Sequence, residues 1–100
     1  MRALQHPDVG EIQLAAVLNA LADPVRLRIV AELTRSGGIV CGQFDVPVSM
    51  STLSHHLKVL REAGVLRVTP HGSFRRHELR RDEMQRRFPG LLDSVTSALG

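Results

Sequence analysis

The sequence predicts a mostly α-helical α+β domain with one small β-hairpin, in the order α-α-α-α-β-β-α, and three observations predict it. Apolar residues recur at helical spacing on either side of two sharp boundaries, Asp23-Pro24 and Ser36-Gly37-Gly38. The stretch from Ser49 to Gly64 carries one narrow apolar seam. Two short alternating runs, Val65 to Thr69 and Phe74 to Leu79, flank a Pro-His-Gly-Ser turn.

Element by element, the first helix is expected from about Val9 to Leu21, with Ile12, Leu14, Ala15, Leu18 and Leu21 as its apolar stripe. Asp23 is a good N-cap, and Pro24 at the first helical position gives up only an N–H that would have no partner. The second helix then runs to about Arg35, with Leu27, Val30, Ala31 and Leu33 inward and Arg26, Arg28 and Glu32 outward. Glycine after Ser36 stops it. In residues 39–48, Ile39, Val40, Phe44 and Val46 are apolar anchors, while Gly42 and Pro47 limit any helix to about one turn.

Ser49 or Ser51 can cap the next helix. At 100° per residue, Met50, Leu57 and Leu60 fall within about 60° of Leu53, making one seam. The opposite face carries Ser51, Thr52, His55, Lys58 and Glu62, with Ser54 and Arg61 at its flank; Ala63-Gly64 ends the helix. In the hairpin, alternation puts Arg75, His77 and Leu79 on one face and Phe74, Arg76 and Glu78 on the other. Asp82 can cap a last helix that Pro89-Gly90 interrupts or kinks. Leu91, Leu92, Val95, Ala98 and Leu99 form its stripe, with little chain left to pack on.

A hundred residues is one domain's worth of chain, so residues 1–100 are read as a single domain. Apolar residues make up 43% and are spread throughout, which argues against disorder. No apolar run approaches the roughly 18 residues of a membrane span. The start, MRALQHPDVGEIQ, lacks the apolar core of a signal peptide. One cysteine, Cys41, allows no intrachain disulfide and fits a reducing compartment. The expectation is a soluble, cytoplasmic protein with no membrane association.

Net charge is +3, and its distribution says more than its total. Residues 1–50 hold four basic against five acidic side chains, a balance of −1; residues 51–100 hold nine against five, +4. A basic half on a neutral half points to a polyanionic partner, most economically nucleic acid. A helix seated by one seam, with small hydroxyls and cations outward, suits the major groove. A basic hairpin directly behind it, with Arg67, His71, Arg75 and Arg76, can lie on adjacent phosphates as a wing. That combination is the winged helix-turn-helix plan.

The segment STLSHHLKVLREAGVL resembles the recognition element of the ArsR/SmtB family of bacterial winged-helix repressors. That family's pattern, roughly S/T-x-S-x-H-L-x-x-L-x-x-A-G-L/V, is met by Thr52, Ser54, His56, Leu57, Leu60, Ala63, Gly64 and Val65. LADPVRLRIVAEL resembles the family's second-helix signature, Leu-Ala-(Asp/Ser)-Pro-x-Arg-x-x-(Ile/Leu), and RVTPHGSFRRHEL resembles its wing. The likeness spans about Glu11 to Leu99. It implies a homodimer built on the first and last helices (about 9–21 and 82–99). Such a dimer represses transcription from an imperfect palindrome until an inducer releases it. The stripes of Leu14, Leu18 and Leu21 and of Leu91, Val95 and Leu99 suit that interface.

The adjacent histidines separate. His55 is in the middle of the outward face, toward DNA; His56 flanks the seam and is expected to fix the helix through a hydrogen bond. Many members of the family sense metals through a Cys-x-Cys pair or through Asp and His ligands on the last helix. Here only Cys41 is present and no histidine follows His77, so no metal site is expected, and Cys41 is read as a small buried residue. His77 is read as a packed histidine. A metal-responsive repressor with an atypical site, using His6, His71 or His77 across a dimer, is an alternative. So is an interaction module that keeps the fold without specific DNA binding.

An enzyme is not expected. Ser51, Ser54 and His55 stand too close on one helix for a nucleophile, base and orienting carboxylate. There is no phosphate loop and no HExxH motif. No cofactor is implied, and the inducer is not specified by the sequence. The DNA-facing set is Ser51, Thr52, Ser54, His55, Lys58 and Arg61 on the helix, with His71, Arg75 and Arg76 on the wing.

Overall fold

A computed structural model describes residues 4–40 and 43–99. The expectation that Cys41 is buried lies outside the described residues. A 3₁₀ turn, Val9–Glu11, precedes α1 (Leu14–Leu21) and α2 (Pro24–Ser36). Strand β1 (Ile39–Val40) leads to α3 (Met50–Ala63), the hairpin β2 (Leu66–His71) and β3 (Phe74–Leu79), then α4 (Arg81–Arg87) and α5 (Leu91–Ala98). The sheet is antiparallel in the order β1-β3-β2. The whole is the α+β winged-helix architecture.

The expected first helix is broken. Glu11 turns back to accept the Asp8 N–H at 3.1 Å, closing a short turn, and Ile12 then adopts an extended backbone. The break lets the Ile12 side chain, 1% exposed, plug the end of α3, where a Cβ on Gly64 would stand 2.7 Å from its Cγ1. The phase of α1 shifts accordingly. Val17, Ala20 and Leu21 face the core, Ala15 is exposed, and Leu14 and Leu18 are 46% and 47% exposed.

The second helix begins as expected: Asp23 Oδ1 accepts from the N–H groups of Val25 (2.8 Å) and Arg26 (3.1 Å). Gly37 closes it at φ 78°, in the left-handed region that favours glycine. Ile29, Val30 and Leu33 are buried, while Leu27 and Ala31 are half-buried. Arg26, expected outward, folds inward for reasons given below.

No helix forms in the described part of the connection to α3. Ile39 and Val40 pair with His77 and Arg76, extending the sheet. Gly38 permits this, because a Cβ there would fall on the Arg76 guanidinium. Phe44 is buried with its ring edge on His77 at 5.7 Å, and Glu32 accepts the Asp45 N–H at 3.1 Å. Tertiary anchors and a strand partner satisfy this segment in place of helical bonds.

In α3 the buried seam is Leu53, Leu57, Leu60 and Ala63, packed on α1 and β2. Met50, expected in that seam, is 56% exposed because the first turn stands clear of the core. Strand β2 runs two residues further than expected, to His71, while β3 keeps its expected bounds, so the turn shortens to Gly72-Ser73. Only Gly72 takes positive φ there (62°), the arrangement a II′-type turn requires. The C-terminal helix is two helices. Pro89-Gly90 separates α4 from α5, and Arg80 rather than Asp82 precedes α4. In α5, Leu92 is buried, Leu91, Val95 and Leu99 are half-buried against the core, and Ala98 is exposed.

Candidate nucleic-acid interface

Ser49 sets the start of α3. Its Oγ accepts the Thr52 N–H at 3.3 Å, lies 3.2 Å from the Ser51 hydroxyl and donates to Thr52 Oγ1 at 3.0 Å. From that cap the helix presents Ser51, Thr52, Ser54, His55 and Lys58 exposed on the side away from its buried seam, with Arg61 half-buried at the flank. Apart from one histidine, one lysine and one arginine the side chains are short, so a duplex can approach the helix backbone closely.

Antiparallel register places Leu66, Val68 and Pro70 on the same face of the hairpin as Leu79, His77 and Arg75. That face turns toward α3. Ser54, Lys58, Arg61, Arg75 and His77 line one cleft between α3 and β3, with Leu4, Leu57 and Val68 as its apolar walls. Arg76 is on the opposite face, 3.3 Å from Glu78 and lying over Gly38. His71 ends β2 at the wing tip, exposed, opposite Phe74. The structure therefore brings Arg75 together with the helix residues and keeps Arg76 apart from them.

His56 is half-buried, and its Nδ1 is 3.2 Å from Nη1 of Arg26. A guanidinium can only donate, so Nδ1 accepts and the imidazole carries its proton on Nε2. The same Arg26 donates Nε to the Ala20 carbonyl (2.6 Å) and Nη2 to that of Asn19 (3.5 Å), closing the end of α1.

At the base of the wing, Arg80 is 4% exposed and fully engaged. Its Nε and Nη2 grip Glu83 at 3.1 and 2.5 Å, and its Nη1 reaches the Pro7 carbonyl at 2.8 Å. Arg67 of β2 adds a third donor to Glu83 at 2.6 Å. Those bonds, the Arg80 pair first, hold the Glu83 carboxyl at a pKa of about 2. His6 Nε2 accepts the Val68 N–H at 2.9 Å, capping the free edge of β2. Burial, then the nearby Arg67, Arg80 and Arg61, lowers the His6 pKa below its ordinary value. Burial likewise lowers that of His77; Arg75 and Arg61 add to it, against a backbone hydrogen bond with Ile39.

Periodicity did not reveal this network or Phe74, which is 60% exposed at the wing tip. The one signal for Phe74 was its place beside the turn on the strand face away from His77.

An exposed polar and basic helix face above a buried seam, flanked by a β-hairpin wing, defines a winged-helix DNA-binding domain. A helix-turn-helix domain model matches residues 21–69. YceK, an uncharacterized HTH-type transcriptional regulator of Bacillus subtilis (strain 168), is 33% identical over 84 residues, covering 81% of this chain and 84% of YceK. MJ1325, an uncharacterized HTH-type transcriptional regulator of Methanocaldococcus jannaschii, is 34% identical over 62 residues, covering 60% and 70%. The crystal structure of an ArsR family transcriptional regulator, RHA00566, superposes with a TM-score of 0.64 over 95% of this chain and 88% of that one, at 18% identity. The chain belongs to the helix-turn-helix transcriptional regulators and has the winged-helix fold of the ArsR type. It is a DNA-binding regulator, of a family and fold that are not those of enzymes.

Proposed function

We propose that this regulator is a homodimeric, cytoplasmic repressor that binds an imperfect palindrome in double-stranded DNA and is released by an inducer. The observation that carries the DNA half is the α3 face itself: five exposed polar or basic side chains opposite a seam in which Leu53 and Leu57 are each 4% exposed. In this reading Ser51, Thr52, Ser54, His55, Lys58 and Arg61 face the major groove. Arg75 contacts phosphate beside them, Arg76 contacts phosphate from the far face of the wing, and His71 sits at the wing tip. The whole chain acts as one domain. Its first and last helical regions, 9–21 and 82–99, form the dimer interface. The exposed Leu14 and Leu18, with the half-buried Leu91, Val95 and Leu99, support that assignment.

No helix among the described residues is long and apolar enough to cross a membrane. No group of three or more His, Cys, Asp or Glu among them is placed to hold a metal ion. Of the histidines an atypical metal site would need, His6 already accepts a backbone N–H and His77 is 4% exposed, which leaves His71.

Selection from random duplex DNA, with and without candidate metals, tests the reading. The expected result is an enriched palindrome whose half-sites are about 34–36 Å, one helical turn, apart or a multiple of that. Failure to enrich any site would sink the repressor reading in favour of an interaction module. An operator released by one ion would identify that ion as the inducer.

A further inference from the structure

We propose that Met50 reads a thymine through its C5-methyl group and so sets one base preference in each half-site of the duplex. This rests on the reading of α3 as the helix that enters the major groove. Among the described residues, the large apolar side chains that stand exposed are Leu14, Leu18, Met50 and Phe74. Leu14 and Leu18 belong to the α1 face assigned to the dimer, and Phe74 to the wing tip. Met50 lies on α3, 56% exposed at the first helical position.

Spacing fixes its place around the helix. At about 100° per residue, Met50 falls about 40° from Ser54 and about 20° from Arg61, on the flank that borders β3. It falls about 120° from His56, where Arg26 ties the end of α1. Met50 thus continues the polar and basic flank. Helical side chains lean toward the N-terminus, so one at the first position projects past the end of the helix. Helix-turn-helix domains bring that end of the recognition helix to the base edges.

The neighbouring hydroxyls are already engaged. Ser49 Oγ accepts the Thr52 N–H, donates to Thr52 Oγ1 and lies 3.2 Å from Ser51 Oγ, so the first-turn hydroxyls bond to one another. Residues 50–61 carry no carboxylate to repel phosphates, and Lys58 and Arg61 on the same flank draw a duplex in. What the first turn then adds at a base edge is a long, flexible thioether. Donors and acceptors line the major groove at every base pair, and its apolar feature is the thymine methyl. Burying that methyl against Met50 removes apolar surface of both from water. Cytosine, which lacks the methyl and presents an amino donor beside its place, would lose hydration there without gaining a hydrogen bond.

The test starts from a duplex selected by the full chain. Each thymine is replaced in turn by uracil, which keeps the base pairing and lacks only the 5-methyl group, and affinity is measured by fluorescence anisotropy. One thymine per half-site should cost about fourfold when its methyl is removed, the worth of one buried methyl, and the others much less. Met50→Ala should bind the thymine duplex about fourfold more weakly per half-site and lose nothing further with uracil, since both changes remove the same contact. Met50→Gln, similar in length but polar, should behave like Met50→Ala. Because the side chain is exposed, urea unfolding of both variants should match that of the parent. A parent protein indifferent to uracil at every position would overturn the inference and leave the DNA reading intact. So would a thymine whose methyl matters equally to Met50→Ala, a result that would assign the methyl to another group such as Thr52. If no duplex is selected, the DNA reading falls and the inference falls with it.

Discussion

Replacing Glu83 by Gln isolates one charge at the base of the wing while keeping the side chain's size. In the parent protein this carboxylate receives three guanidinium N–H groups, two from Arg80 and one from Arg67. The Arg80 side chain is 2% exposed, so loss of its counterion leaves a cation nearly out of water. Two estimates of the magnitude agree. The Glu83 carboxyl lies at about 2 rather than 4.5, and at about 1.4 kcal/mol per pH unit the gap is worth about 3 kcal/mol. Removing one partner of a buried ion pair costs about 3–5 kcal/mol in general. Glu83 keeps 21% of its side chain in solvent, so the lower end, about 2–3 kcal/mol, is expected. The pH dependence has a definite sign. The unfolded carboxyl takes its proton near 4.5 and the folded one near 2, so the stabilisation is complete above 4.5 and is lost as pH falls toward 2. Urea unfolding at one protein concentration should show Glu83→Gln less stable by about 2–3 kcal/mol at pH 7, with the difference closing between pH 4.5 and 2. A difference below about 0.5 kcal/mol at pH 7, or one that does not change across that window, would show that Arg80 finds its compensation elsewhere.

Four further outcomes follow from the geometry. Arg75→Ala should weaken binding to all duplexes alike and lower the slope of log affinity against log salt by about one, as measured by fluorescence anisotropy; an unchanged slope would remove Arg75 from the phosphate contacts. Ser54→Ala or His55→Ala should reduce discrimination between operator and random duplex, and equal losses on both would count against groove contact. Leu57→Ala, opening a cavity beneath α3, should cost about 2–5 kcal/mol by urea unfolding, and unchanged stability would mean that the seam is misplaced. The lowered pKa values of His6 and His77 mean that below 6.5 the unfolded chain takes up protons first. Stability should therefore fall between pH 7 and 5.5, and His77→Phe should shrink that fall; a protein more stable at pH 5.5 would contradict both assignments.

Helix and strand identity was legible wherever a local rule decided it. Asp23-Pro24, Gly37, Ser49 and Gly64 each act within a turn of their own position, and the expected boundaries there agree with the structure. Departures occur where a distant partner decides. Ile12 leaves helical geometry because a cavity beside Gly64 accepts it, and Ile39-Val40 extends because β3 offers an unpaired edge. Arg80 at the head of α4 is fixed by the Pro7 carbonyl, 73 residues away in sequence. Periodicity cannot see such partners. On the α3 face, angle alone identified the exposed residues. It did not separate Arg75 from Arg76, because a two-residue period states that they face opposite ways without stating which way α3 lies.

The two motifs that carried the family resemblance are 30 residues apart in sequence, yet they meet in one hydrogen bond. Arg26 is the arginine of the Leu-Ala-Asp-Pro-x-Arg run, and His56 is the histidine before the leucine of the α3 pattern; they stand 3.2 Å apart. The apolar seam fixes how deeply α3 sits but leaves it free to slide or roll along its axis, since burial has little directional preference. A planar guanidinium anchored at the same time on Ala20, Asn19 and His56 supplies that missing direction, tying the end of α1 to the side of α3. The tie uses His56 Nδ1 as acceptor, and a lysine at position 26, whose three donors radiate from a single nitrogen, would lack the planar fork that spans all three acceptors. Neither residue is among those read as facing DNA. Both nevertheless help to fix where Ser54, His55 and Lys58 point, so the face proposed to meet DNA is aimed by a contact made on another side of its own helix.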